Sequence, residues 1–237
     1  VFGDWSSDVC SSDLMAFAGV FSRPFRRALG GQGEELPWWN IDGASPGGTV
    51  CMVALQPKGA VSQAASYTNL ANPGSDGIPN VAPAWDAVAG WTINNSNNQY
   101  VDTGWVPPSQ SITIIVRFSG YTSIGPICGA YTAGQSSILI YPNAGGTQVR
   151  YTSGGTVMVA PSLAAGNLAI AGTQGYRNGS AEGGAISAWS VAQTGTIKVG
   201  WIPGYGNCIG SIQAFAGYVG ALAPGLVAAR VAAAALL

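Results

Sequence analysis

The chain has 237 residues, of which 8% are charged and 35 are glycine, with a formal net charge of -1 and no histidine. Average soluble domains are about 25% charged and ~7% glycine, so this composition indicates a rigid, turn-rich β protein of the extracellular or particle-surface kind. The missing histidine excludes Ser-His-Asp and Cys-His catalysis and His-ligated metals, and the lack of a basic stripe argues against a nucleic-acid partner.

In chain order, Asp4 to Leu14 reads DWSSDVCSSDL. That string resembles a translated sequencing adapter, so residues 1–14 are set aside from fold reasoning. Without Asp4, Asp8 and Asp13, ten acids become seven against nine bases, and the charge becomes +2. Residues 15–48 read as a leader or linker. The apolar run after Met15 is short and Arg23, Arg26 and Arg27 follow it, the reverse of a signal peptide. Trp38 and Trp39 cannot both face one core from a strand, so one is expected on the rim of the domain. Gly43 to Gly48, GASPGG, is a turn cluster.

TVCMVAL from Thr49 is the first expected strand. NLANPGSDG is turn chemistry, and VAPAW adds an aromatic at Trp85. Gly90 to Gly104, GWTINNSNNQYVDTG, reads as a β-hairpin turning at Asn94 to Asn98. In SITIIVRF, Ile112, Ile114, Val116 and Phe118 share one face. With Trp91 they are the expected core. SILIY is expected to end in a PNAGG loop. TQVRY, TVMVA, NLAIAG, AISAWS, GTIKVG and IGSIQAFAGY follow as strands. Asn178-Gly179 is the strongest hairpin signal in the chain. About ten short strands with turns at intervals of 8–12 residues indicate a sandwich or barrel. Pro224 to Leu237 is Ala-rich with proline at its start, which predicts a terminal helix over 223–237. No stretch gives about 18 uninterrupted apolar residues, so no membrane partner is expected. With Cys10 set aside, Cys51, Cys128 and Cys208 are an odd number without CxxC spacing and read as buried reduced thiols.

The ordered set ASYTNLANPG, YVDTG, the long alternating strand, YRNGS, GSIQAFAGY and the Ala-rich tail resembles the concanavalin A-like, laminin-G-like jelly-roll modules of many bacteriophage and metagenomic proteins. Tyr176, Arg177, Asn178 and Gly179 match the family's Tyr-x-Asn-Gly turn, and Gly210-Ser211 its approach to the final strand. The resemblance covers roughly residues 49–235. It implies an all-β, two-sheet antiparallel jelly-roll sandwich over 49–222. It also implies a virion or extracellular setting, with a glycan, other virion proteins or further copies of the chain as partners.

Some relatives on this fold are glucanases, and glycoside hydrolysis needs two carboxylates held a set distance apart. After residue 14 the acids are Glu34, Glu35, Asp42, Asp76, Asp86, Asp102 and Glu182. None alternate along one strand, so the chain is expected not to be an enzyme. Cofactors are expected to be none. Asp76, Asp102 and Asn143 are candidate calcium ligands, but turn capping is the favoured reading of such isolated acids. A sugar site needs aromatic faces and amides. GWIPGYGN is the leading candidate, through Trp201, Tyr205 and Asn207, with Tyr141, Asn143 and Tyr121 behind it. The competing reading makes Trp201 a packing cap on the sandwich end. The expectation is thus a non-catalytic glycan-binding or adhesion module, with a ligand-free structural component of the virion as the alternative.

Overall fold

The computed structural model describes residues 36–41, 49–94, 98–205 and 208–237. Residues 1–14, Glu34, Glu35, Asp42 and Asn207 therefore lie outside the described residues.

Fifteen strands among the described residues form two antiparallel sheets packed as a sandwich, closed by one C-terminal helix. The first sheet has β13 (Ser180–Glu182), β12 (Gln174–Arg177), β11 (Gly166–Ala171), β6 (Ile112–Ser119), β15 (Ile209–Val219), β4 (Gly90–Asn94) and β3 (Ala84–Asp86), in that order. β15 is long enough to hold two partners along one edge. Its first half pairs with β4 and its second half with β1 (Val50–Leu55), while β6 lies along the other edge. The second sheet runs β10 (Gly155–Val159), β9 (Gln148–Ser153), β8 (Ile138–Ala144), β7 (Cys128–Ala130), β14 (Lys198–Gly200), β5 (Tyr100–Asp102) and β2 (Ile78–Pro79).

Alternation along the strands fills the interior from both sides. Trp91, Ile93, Ile112, Ile114, Val116, Phe118, Leu168, Ile170 and Phe215 come from the first sheet; Val101, Ile138, Ile140, Val149, Tyr151 and Val199 come from the second. The expected core residues are all in this set. In β15 the alternation would carry Phe215 outward. A bulge between Ile212 and Ala214 resets it, so Ile212 and Phe215 both reach the core. Gly217, also on β15, lies under the Trp105 ring, and a Cβ there would come within 2.5 Å of it. Its backbone is not in the left-handed region, so the conflict is purely steric. Gly217→Ala is expected to destabilise by about 1–3 kcal/mol through overpacking. An unchanged urea midpoint would show that Trp105 does not seat there.

The outer face of the first sheet is not left to solvent. The helix α1 (Pro224–Ala235) sets Val227, Val231 and Ala234 against Ile115, Ala169, Ala171, Ala214 and Ala216. The helix positions recur at four- and three-residue spacing, one face of the coil, and the alanines let it approach closely. β6 is therefore buried on both faces apart from Arg117 and Ser119, where alternation alone predicted a half-buried strand. Trp38 packs into this second core and Trp39 is half-buried at its rim. The Trp39 carbonyl accepts from Tyr218 Oη at 2.9 Å and Arg230 Nε at 3.2 Å.

Several strand expectations need correction. Gly90 to Gly104 is not a hairpin. β4 pairs with β3 and β15 in one sheet, β5 with β14 and β2 in the other. β4 and β5 thus lie in opposite sheets, and Trp91 and Val101 enter the core from opposite walls. The hairpin partner of β4 is β3, whose turn is closed by Asp86 Oδ1 accepting from the amides of Val88 and Ala89. AISAWS forms no strand. Gln110 holds it as a loop instead, accepting from Trp189 N and donating to the Ser187 carbonyl, while Ile186 reaches the core. Pro142 to Ala144 stay within β8, across a register shift, rather than forming a loop. The Asn178-Gly179 turn is as expected, with positive φ at both residues (49° and 86°) joining β12 to β13, the type I′ requirement.

Candidate functional site

The exposed chemistry gathers on the outer face of the second sheet. Side chains alternate across a strand, so the inward residues Ile138, Ile140, Val149, Tyr151, Val199 and Val101 fix what their neighbours do. Leu139 and Tyr141 of β8, Arg150 and Thr152 of β9, Lys198 of β14, and Tyr100 and Asp102 of β5 all point outward. Cross-strand register aligns them: Thr152 faces Leu139, Leu139 faces Gly129, and Gly129 faces Lys198, which faces Asp102. Tyr141 faces Arg150 in the neighbouring row.

The stretch from Gly200 to Tyr205 folds over this face. Its anchor is Ile202, fully buried against Leu139, Tyr141 and Ala144. Trp201 and Tyr205 flank that anchor. Trp201 stacks on Tyr100 at 6.2 Å between centroids and 21° between planes. Tyr205 meets Tyr131 edge-on at 4.7 Å and Tyr141 edge-on at 6.3 Å. Offset and edge arrangements of this kind suit the ring quadrupoles. Gly204 permits the turn twice over. Its φ is +85°, and a Cβ would lie 3.2 Å from the Tyr131 ring.

Trp201 belongs to neither the main core nor the helix-side core, and it is half-buried. Its ring lies against Tyr100 on the outer side of the second sheet. Tyr141 is buried and lies on β8, the strand expected for it. Asn143 is half-buried on the same strand. Tyr141 Oη and Asn143 Oδ1 are enclosed without a hydrogen-bond partner, each costing ~1–3 kcal/mol until a water or ligand group supplies one. Tyr121 is not part of the site. It packs in the main core against Phe118 and its hydroxyl donates to the Gly125 carbonyl.

Two cations sit beside these rings. Arg150 Cζ is 4.9 Å from the Tyr141 centroid and Lys198 Nζ 5.7 Å from that of Tyr100. Lys198 is paired with Asp102 at 3.5 Å. Arg150 donates through Nε to Thr152 Oγ1 at 3.2 Å, and no carboxylate of the described residues pairs with it. Burial pushes the Tyr141 phenol up to about 12, against the opposing pull of Arg150, so at neutral pH it is a donor. Arg150, Tyr131 and Tyr100 were not singled out from the sequence. The available signal was the alternation in TQVRY, which places Arg150 opposite in direction to Val149 and Tyr151.

The carboxylates are otherwise engaged. Asp76 Oδ1 accepts from Asn69 N at 2.9 Å. Asp102 accepts from Gly104 N and Thr196 Oγ1. Asp86 closes the β3–β4 turn, and the amides of Ala89 and Val88 hold its carboxyl below the usual range. Glu182 takes Arg177 at 2.8 Å and the Tyr151 hydroxyl at 2.6 Å. Asp76 thus bonds the backbone of Asn69 and Asp102 that of Gly104; among the described residues there is no group of three or more His, Cys, Asp or Glu suited to a metal. Cys128 and Cys208 are buried and Cys51 is half-buried, all three as free thiols.

No family model matches the chain, and no curated protein matches it by sequence. Solved structures do share its fold. Domain 4 of a GH43 extracellular arabinanase from Geobacillus stearothermophilus, solved with arabinotriose, aligns at TM-score 0.52 and 14% identity over 77% of this chain and 98% of that one. Trypanosoma rangeli sialidase, solved with 2,3-difluoro-KDN, aligns at 0.51 and 14% over 78% of this chain and 32% of that one. A botulinum neurotoxin type C that interacts with two ganglioside molecules aligns at 0.53 and 10% over 78% of this chain and 51% of that one. The chain thus spans about a third of the sialidase and half of the toxin chain. These likenesses are of fold.

Proposed function

We propose that this chain is a non-catalytic binding module that takes a glycan on the outer face of its second sheet, beneath Trp201 and Tyr205. The observation that carries the reading is the gathering of four rings outside the main core: Trp201 and Tyr205 on a loop pinned by Ile202, Tyr100 on β5 and Tyr131 just after β7. A sugar ring presents an apolar C–H face that such rings cover at little entropic cost, and its hydroxyls need polar partners. Tyr141 Oη and Asn143 Oδ1 lack them. The fold supports the reading, since it is shared with a domain solved with arabinotriose. The engagement of all four described carboxylates in structural bonds favours binding over hydrolysis. Single weak sites gain strength in arrays. The low charge and glycine-rich composition favour display on a virion or extracellular surface.

The test is Trp201→Ala on a glycan array, with thermal melting alongside. The wild type is expected to bind at least one glycan. The variant is expected to lose that binding while keeping a melting temperature within a few degrees. Unfolding of the variant would make Trp201 a packing residue, and undiminished binding would move the site elsewhere. A wild type that binds nothing would favour the ligand-free structural component. Release of reducing sugar would replace both readings with a hydrolase.

A further inference from the structure

Arg150 is the cation of this face that lacks a carboxylate partner among the described residues. Lys198, the other cation beside a ring, is held by Asp102. The Arg150 guanidinium lies over the Tyr141 ring and is tied through Nε to Thr152. Those two contacts restrain its orientation and use one of its five N–H donors, leaving the terminal nitrogens for a planar bidentate acceptor. Tyr141 also touches Tyr205, so one ring links the cation to the aromatic plate. A saccharide lying on Tyr205 can bring a carboxylate to Arg150.

Resting on the glycan-binding reading, we propose that the site selects acidic saccharides, with the sugar carboxylate paired to Arg150 and the ring face on Tyr205. The local charge supports this selection. The face carries Arg150 and Lys198 against the single Asp102. A neutral sugar would leave the guanidinium solvated and gain nothing from it. A carboxylate gains a charge-assisted pair that weakens with salt.

The experiment compares paired probes by affinity electrophoresis and titration calorimetry. The pairs are polygalacturonate against its methyl ester, and sialyllactose against lactose. They separate a uronic acid from a sialic acid as the source of the carboxylate. At least one acidic member is expected to bind tenfold or more tightly than its neutral counterpart, with affinity falling as salt rises. Arg150→Gln is expected to bring that acid down to the level of its neutral counterpart at an unchanged melting temperature. Arg117→Gln, on the outer face of the other sheet where Nε donates to Gln213, is expected to change nothing. Equal loss in both variants would make the attraction non-specific and overturn the proposal. Equal binding of acidic and neutral members would overturn it while the glycan reading stands. Absence of binding to every glycan would overturn both. If Arg150→Gln melts early, Arg150→Lys keeps the charge without the fork; full acid preference in that variant would overturn the bidentate pairing.

Discussion

Trp91→Ala is expected to cost the domain about 3–5 kcal/mol, the range of buried aromatic truncations. The side chain is fully buried on β4 and faces the second sheet. Its removal takes away more than apolar area. Tyr67 stacks on the indole at 5.4 Å and 26°, so that ring loses its plate. The indole Nε1 donates to Ser66 Oγ at 2.7 Å in a buried bond, so that hydroxyl loses its donor. Total stabilities of such domains are about 5–15 kcal/mol, so the variant should be marginal at physiological temperature. Trp91→Phe separates the two contributions. It keeps an aromatic ring in the core but loses the N–H together with two ring carbons, so its cost should lie between one hydrogen bond, about 1 kcal/mol, and the alanine value. Urea unfolding of both variants checks the argument. A loss under 1 kcal/mol for the alanine variant would show that Trp91 does not seal the core.

What could be read from the sequence was whatever a short window encodes. The faces of β6, the Asn178-Gly179 turn and the proline that opens α1 are local properties, and each emerged in place. Pairing is not local. Trp91 and Tyr100 read as two arms of one hairpin because alternation reports which face a side chain takes, not which sheet its strand joins. The placing of β4 and β5 in opposite sheets is decided by β15, more than a hundred residues later, which claims β4 along its first half. The AISAWS segment failed for a related reason. Its composition suits a strand, but Gln110 side-chain bonds satisfy part of its backbone and leave it a loop.

The candidate site was half legible. The glycine-bounded loop around Trp201 and Tyr205 stood out because its aromatics had no strand face to fill. Its counterparts did not stand out. Tyr100 and Arg150 come from separate strands and Tyr131 from the residue after β7, and only the stacking of those strands in one sheet brings them under the loop. Tyr141 was read as the last residue of its strand because PNAGG looked like a loop. A register shift between Tyr141 and Ala144 lets β8 continue and keeps the ring on the outer face.

Asn69→Ala is expected to cost about 3–5 kcal/mol, although the residue touches no ligand. Asn69 lies in ASYTNLANPG, a stretch that pointed to the fold without showing why. The side chain is buried and uses both of its ends. Oδ1 accepts from Ala54 N at 3.0 Å and from the amides of Ala71 and Asn72 at 3.2 Å. Nδ2 donates to the carbonyls of Met52 at 2.9 Å and Ser75 at 3.1 Å. One amide therefore pins β1 to the loop that follows it, and the backbone adds a bond from Leu70 N to the Ala54 carbonyl. Alanine strands the Ala54 amide, in a fully buried residue, together with two carbonyls, at ~1–3 kcal/mol for each group that water cannot reach. The amides of Ala71 and Asn72 are nearer solvent and should find water, which holds the total below the sum over all five bonds. Asn69→Asp tests whether hydrogen bonding or shape carries the effect. Aspartate is nearly isosteric and keeps the acceptor, but it turns a second oxygen toward the Met52 and Ser75 carbonyls. It also adds a charge near Asp76, which already accepts from the backbone amide of this residue. Asn69→Asp should therefore destabilise at neutral pH at least as much as Asn69→Ala. If aspartate instead restores wild-type stability in urea unfolding, the site needs only volume and an acceptor, and the donor half of the argument fails.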